Sequence, residues 1–193
     1  MLDVGKTNLL SRYAEGRFSS DFEATLGCEY TSKVINVSEG KVLVQIWDTA
    51  GQEAYRAITR SYYQKTSCAV VVFDLTDMKT FEQANEWYVE CKEMCSRNVE
   101  VVMVGNKKDL EKERVVSYEQ AKQYAEENEI EYFETSALSG EGVKELFEFI
   151  VDVLVDKARK EEAKMGMNDR MNGIVLNKDK GQGGDEQERK CLC

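Results

Sequence analysis

Four short stretches of the chain carry side chains whose types and spacing could do chemistry together. Trp47-Asp48-Thr49-Ala50-Gly51-Gln52-Glu53 follows Val42–Ile46, whose alternation of apolar and polar residues reads as a half-buried strand. A carboxylate at a strand's carboxyl end stands where open α/β sheets bind ligands. Gly51 lets backbone come close enough to a γ-phosphate to donate its N–H. Asp48 could hold Mg²⁺ through water, because that ion keeps much of its hydration shell. Taken alone, the same stretch could be a strand end with an ordinary turn. Gly5-Lys6-Thr7 enters the helical pattern that begins at Asn8, and it reads as the end of a phosphate loop, Gly-x-x-x-x-Gly-Lys-Ser/Thr in full. Its backbone N–H groups and helix N-terminus would face phosphate oxygens. Lys6 would reach the β- and γ-phosphates, and Thr7 would give a hydroxyl to the same Mg²⁺.

The third stretch is Asn106-Lys107-Lys108-Asp109, after a strongly apolar run. A guanine edge offers two donors, N1–H and the 2-amino group, and one carboxylate can accept both in parallel. Adenine has an unprotonated N1 and no 2-amino group, so it would leave Asp109 unpaired, at a cost on the order of 1–3 kcal/mol. Asn106 would tie its loop to neighbouring segments, and the Lys107 stem could lie along the base. A charged turn after a strand is the competing reading. The fourth stretch, Thr135-Ser136-Ala137, is small enough to let a backbone N–H approach the guanine O6; three small residues are also common in turns.

The elements that must position these residues can be read from the pattern. Cys28–Ser38 and the strand ending at Asp48 form a hairpin around Glu39-Gly40. Cys68–Asp74 and Glu100–Asn106 are continuous apolar runs of the kind buried on both faces of a parallel sheet. Helical spacing covers Ala54–Tyr63, Thr80–Ser96, Ser117–Asn128 (Ser117 as cap, with Gln120 three residues on) and Gly142 to about Lys164. Ile130–Phe133 is a short strand. Residues 16–27 have no regular pattern and suit a ligand-contacting loop. Alternating β and α elements predict an α/β fold with a doubly wound, mostly parallel sheet.

The 193 residues predict one domain, 1–164, and a flexible tail, 165–193. A net charge of −10 argues against a nucleic-acid partner. Histidine is absent, which excludes His-based nucleophilic and acid–base chemistry. Neither a spanning apolar run nor a signal peptide is present. The six cysteines show no framework spacing and read as reduced cytosolic thiols; Cys91 and Cys95, four apart on a helix, could share a metal but suit the core better.

Together these motifs resemble the Ras superfamily of small GTPases, and most of all the Rab family. The resemblance covers about residues 3–160 and rests on Gly5-Lys6-Thr7, Thr25-Leu26-Gly27, Trp47–Glu53, Ile58–Tyr63, Gly105–Leu110 and Glu134–Ala137. It implies the P-loop small GTPase fold, mostly parallel with one antiparallel edge strand. The strand that launches the phosphate loop and the loop's first glycine are missing, so the start is expected to be incomplete. It also implies GTP or GDP as the bound nucleotide and Mg²⁺ as cofactor. The nucleotide contacts implied are Asp3, Val4, Gly5, Lys6, Thr7, Asn8, Phe18, Thr25, Asp48, Gly51, Asn106, Lys107, Asp109, Ser136, Ala137 and Leu138. Within this set Thr7, Thr25 and Asp48 are the metal residues, and Phe18 lies against the guanine. Gln52 is the catalytic residue that orients the attacking water. Residues 16–29 and 50–66 would be the two nucleotide-sensing switches.

The implied activity is slow GTP hydrolysis to GDP and phosphate, in a switch that regulates vesicle trafficking. The partners implied are an exchange factor, a GTPase-activating protein, effectors and a carrier for prenyl lipids. Cys191-Leu192-Cys193 resembles the Rab Cys-x-Cys end, which implies two geranylgeranyl groups. The protein would then cycle between cytosol and the cytoplasmic face of endosomal or Golgi-type membranes. The alternative from another class is a short, non-hydrolysing protein-interaction module.

Overall fold

The computed structural model describes residues 3–20, 25, 27–38, 40–51, 62–63, 66–95 and 98–171, apart from the side chains of 162 and 164–171. The elements in chain order are α1 (Lys6–Glu15), β1 (Cys28–Val37), β2 (Gly40–Thr49), β3 (Cys68–Asp74), α2 (Met78–Met94), β4 (Glu100–Asn106), a 3₁₀ helix (Lys108–Glu113), α3 (Tyr118–Glu127), β5 (Glu131–Glu134) and α4 (Val143–Met171).

β3, β4 and β5 form a parallel sheet in that order, and β1 and β2 an antiparallel hairpin. The α/β class expected from the sequence is what the chain forms. The sheet itself is in two hydrogen-bonded pieces. Among the described residues no strand stands between β2 and β3, and side chains join the pieces instead. Val44 and Ile46 of β2 share one core with Val70 and Val72 of β3, Val102 and Val104 of β4, Leu9 and Leu10 of α1, and Leu146 and Ile150 of α4. The alternate residues of β3 and β4, Val71, Phe73, Val101 and Met103, pack with Ala84 and Tyr88 of α2 and Ala121 and Ala125 of α3. Apolar side chains on both faces are why these strands read as unbroken runs and not as alternation.

Local chemistry fixes the helix ends. Asp77 caps α2 by accepting from Lys79 N at 2.9 Å, and Ser117 caps α3 by accepting from Gln120 N at 3.1 Å. The Gln120 side chain does not close a reciprocal box; its Nε2 meets the Met78 sulfur. α4 runs to Met171, past the expected boundary at Lys164. Residues 157–165 are all strong helix formers, so propensity carries the helix beyond its packed face. Of the helix expected over 54–63, only Tyr62 and Tyr63 are described, and both are helical. Gln52, Cys191 and Cys193 lie outside the described residues.

The parallel register places the chemistry-bearing loops side by side. Asp74 stands opposite Asn106, and Gly105 opposite Glu134, so the segments after all three strands leave the sheet at one edge.

Candidate functional site

α1 is preceded by its cap residue Gly5, whose φ of +84° is left-handed and which makes no side-chain cap hydrogen bond. The first turn holds no acidic residue. The positive end of this helix is where an anion would be stabilised. Lys6 is partly buried there. Burial holds its pKa below the usual lysine value, and the Asp48 charge opposes that shift. An ammonium kept in such a place calls for a nearby anion.

Asp48, at the end of β2, is 2 % exposed. Its Oδ2 accepts from the Thr7 hydroxyl at 2.5 Å and from the Thr25 hydroxyl at 3.2 Å, and the two hydroxyls are 2.9 Å apart. Three segments far apart in sequence thus bring two hydroxyls and a carboxylate to one point. All are hard oxygen donors, and one carboxylate with neutral oxygens is the protein's share of a Mg²⁺ site that also takes phosphate and water. The donor set fits the ion. Gly51 follows within three residues of Asp48 and is partly buried.

A second centre is built around Asn106, which is 1 % exposed. Its Nδ2 donates to Val4 O at 2.9 Å; its Oδ1 accepts from the Thr135 hydroxyl at 3.1 Å and Ala137 N at 3.2 Å. One amide therefore clamps the phosphate-loop end to the 135–137 turn, the tying role expected of it. Asp109 is exposed, and its Oδ1 accepts the Ser136 hydroxyl at 2.5 Å. A carboxylate has about four acceptor sites, so most of its capacity still faces outward. The Ser136 and Ala137 N–H groups donate to Glu141 O and Asn106 Oδ1.

Lys107 sits at a left-handed φ of +66°. Its Nζ pairs with Asp74 Oδ2 at 2.8 Å, which ties its head to the end of β3. Asn8 contacts Ser19 through both its amide atoms, at 2.9 and 3.0 Å. That pair fixes the loop bearing Phe18, an exposed ring. Leu138 is exposed as well, and Asp3 lies exposed ahead of buried Val4.

Two positioning residues escaped the sequence reading. Arg12 donates Nε to Ala137 O at 2.8 Å, Nη2 to Leu138 O at 2.7 Å and Nη1 to Gly16 O at 2.8 Å, joining α1 to the 137–138 turn. Nothing in the sequence singles it out from other basic residues of a helix's last turn. Asp74, the anchor of Lys107, had a signal: a lone acid closing an apolar strand.

With this geometry in hand, comparison with known proteins decides the family. The sequence pattern of the Ras family matches residues 2–156. The chain is 43 % identical over 154 residues to "Ras-related protein Rab-2B" of Dictyostelium discoideum, covering 80 % of this chain and 76 % of that protein. It is 44 % identical over 144 residues to "Ras-related protein Rab-4B" of Homo sapiens, covering 75 % of this chain and 68 % of that protein. The chain belongs to the Rab family of Ras-like small GTPases. The fold brings Thr7, Thr25 and Asp48 together at one centre, and Asn106, Asp109 and Ser136 to the other.

Proposed function

We propose that this Rab-family chain is a guanine-nucleotide switch that binds GTP and GDP, hydrolyses GTP slowly and regulates vesicle trafficking. The reading is carried by the convergence of the Thr7 and Thr25 hydroxyls on Asp48, beside a partly buried lysine at a helix N-terminus. Thr7, Thr25 and Asp48 would hold Mg²⁺, which when bound neutralises charge on phosphate oxygens. Lys6 and the N–H groups from Gly5 to Asn8 bind the phosphates. Asp109 accepts the guanine N1–H and 2-amino group, with Ser136 orienting the carboxylate. Asn106 and Lys107 hold that loop, Phe18 covers the base, and Ala137 and Leu138 border it.

Hydrolysis is a matter of position and charge. Lys6 stabilises the γ-phosphate oxygens, and Gln52 orients the attacking water. Thr25 lies between α1 and β1 and Gly51 just past β2, so both loops are tied to the γ-phosphate and freed when it leaves. Exchange factors, activating proteins and effectors read the two shapes. Cys191 and Cys193 carry two prenyl groups to the cytoplasmic face of endosomal or Golgi-type membranes, and a lipid carrier returns the protein to cytosol.

The test is release of a fluorescent GDP from the full chain, with GTP or ATP as competitor, with and without a chelator of Mg²⁺. GTP should compete and ATP should not, and chelation should speed release. Equal competition by ATP would refute the reading. Binding with no phosphate release in a single-turnover assay would support the non-hydrolysing alternative.

A further inference from the structure

Cys91 and Cys95 lie away from the nucleotide site, on successive turns at the C-terminal end of α2. Cys91 is 5 % exposed, and Cys95, the cap residue, is half-buried. Cys95 N donates to Cys91 O at 2.9 Å and closes the last turn, and the i,i+4 spacing sets the two thiols on one face of the helix. One thiol can thus be reached from solvent and the other is held directly behind it. Among the described residues no group of three metal-ligating side chains occurs, so the pair stands as a dithiol without further ligands.

We propose that Cys95 is a site of reversible oxidation by hydroperoxides, with Cys91 as the resolving thiol and a Cys91–Cys95 disulfide as the product. Oxidant-sensing cysteines are thiolate-prone, accessible and set beside a second thiol. The neighbouring Cys91 thiol favours the Cys95 thiolate and lowers its pKa against an opposing effect of burial. The same pairing, with burial, keeps Cys91 protonated. In the first step the Cys95 thiolate attacks the terminal peroxide oxygen and the O–O bond breaks. Sulfur becomes sulfenic acid, and the other oxygen takes a proton and leaves as alcohol or water. Cys91 then loses its proton and its sulfur attacks the sulfenic sulfur. The S–S bond forms as the S–O bond breaks, and hydroxide leaves with that proton as water. Two thiols and one hydroperoxide give one disulfide, one alcohol (or water) and one water.

Side chains four apart on a helix hold their Cβ atoms about 5–6 Å apart, whereas a disulfide needs roughly 3.5–4.5 Å. The last turn must therefore open, giving up the Cys95 N to Cys91 O bond. The turn that must open is the terminal one, since Cys95 is the helix's cap residue. Ala84 and Tyr88 keep the rest of α2 packed. A bond made under such strain is readily reduced.

The test treats the full chain with an equivalent of hydrogen peroxide, alkylates the remaining thiols and digests with trypsin. Cleavage after Lys92 separates peptide 80–92 from peptide 93–97, so a disulfide shows as the two peptides linked. The parent should give the linked pair, lost on reduction. Cys91→Ser should give none, and dimedone should label Cys95 instead. Cys95→Ser, at the more accessible position, keeps the test open if Cys91→Ser misfolds: Cys91 should then stay alkylatable. The proposal is overturned if no linked pair forms in the parent, if Cys28 or Cys68 oxidises first, or if Cys91 is labelled as fully in Cys95→Ser as Cys95 is in Cys91→Ser.

Discussion

Replacing Gly5 by alanine tests how the phosphate loop is held. Two costs can be separated. Gly5 has φ of +84°, and an alanine forced into the left-handed region costs about 1–2 kcal/mol. A Cβ there would also stand 2.6 Å from Asn106 Nδ2, the atom that donates to Val4 O at 2.9 Å. Asn106 must move, leaving a buried amide and a buried carbonyl unmet at about 1–3 kcal/mol. The sum is about 2–5 kcal/mol, a large part of the roughly 5–15 kcal/mol that stabilises a domain. Gly16 supplies the control: its φ is +69°, but a Cβ there meets nothing within 4 Å, so Gly16→Ala should cost only the backbone part. Urea unfolding of both variants, without nucleotide, measures the difference. A double-mutant cycle then isolates the collision. In an Asn106→Ala background, Gly5→Ala should cost no more than Gly16→Ala does. If Gly5→Ala costs the same as Gly16→Ala in the parent, the clamp role of Asn106 on the loop is wrong.

Further predictions address the proposed switch. Asp109→Asn should weaken GTP binding about 10- to 100-fold, the value of one hydrogen bond to a charged group, and favour xanthosine triphosphate; competition between the two nucleotides checks it. Gln52→Leu should slow single-turnover phosphate release on the order of ten- to a hundredfold, as expected when a nucleophile loses its orientation, with nucleotide affinity unchanged. The tail residues Arg170, Lys178, Lys180, Arg189 and Lys190 are balanced by Asp169, Asp179, Asp185, Glu186 and Glu188. It offers no polybasic patch, and one lipid holds a membrane only weakly. Cys191→Ser and Cys193→Ser should each weaken membrane retention, and the double change should leave the protein in the supernatant; a double variant that still pellets with membranes excludes the two-lipid anchor.

The parts of the site that the sequence revealed are those whose chemistry is fixed by residue type. Gly-Lys-Thr, Asp-x-x-Gly and Asn-Lys-x-Asp each need particular donors at particular steps along the backbone, so they stand out without any structure. β3 and β4 were legible to the residue because burial on both faces leaves no polar position to blur their ends. What the sequence hid is chemistry made only by folding. Arg12 meets Ala137 and Leu138 across more than a hundred residues, and Lys107 finds Asp74 only because β3 and β4 run parallel in register. The two-piece sheet fits the expected lack of the strand that launches the phosphate loop. Asn106 shows both sides of this limit. Its type and place predicted that it would tie its loop down, while its partners, Val4 on one side and Thr135 and Ala137 on the other, depend on three chain segments arriving together. A single buried amide with both ends satisfied should tolerate neither Asp nor Leu. The acid would lose the donor to Val4 O, and the hydrocarbon would lose all three bonds. Asn106 and Arg12 both tie the α1 side of the site to the 135–138 turn, so changes at Asn106 should disturb both proposed ends of the nucleotide site, where changes at Asp109 should disturb only base selectivity.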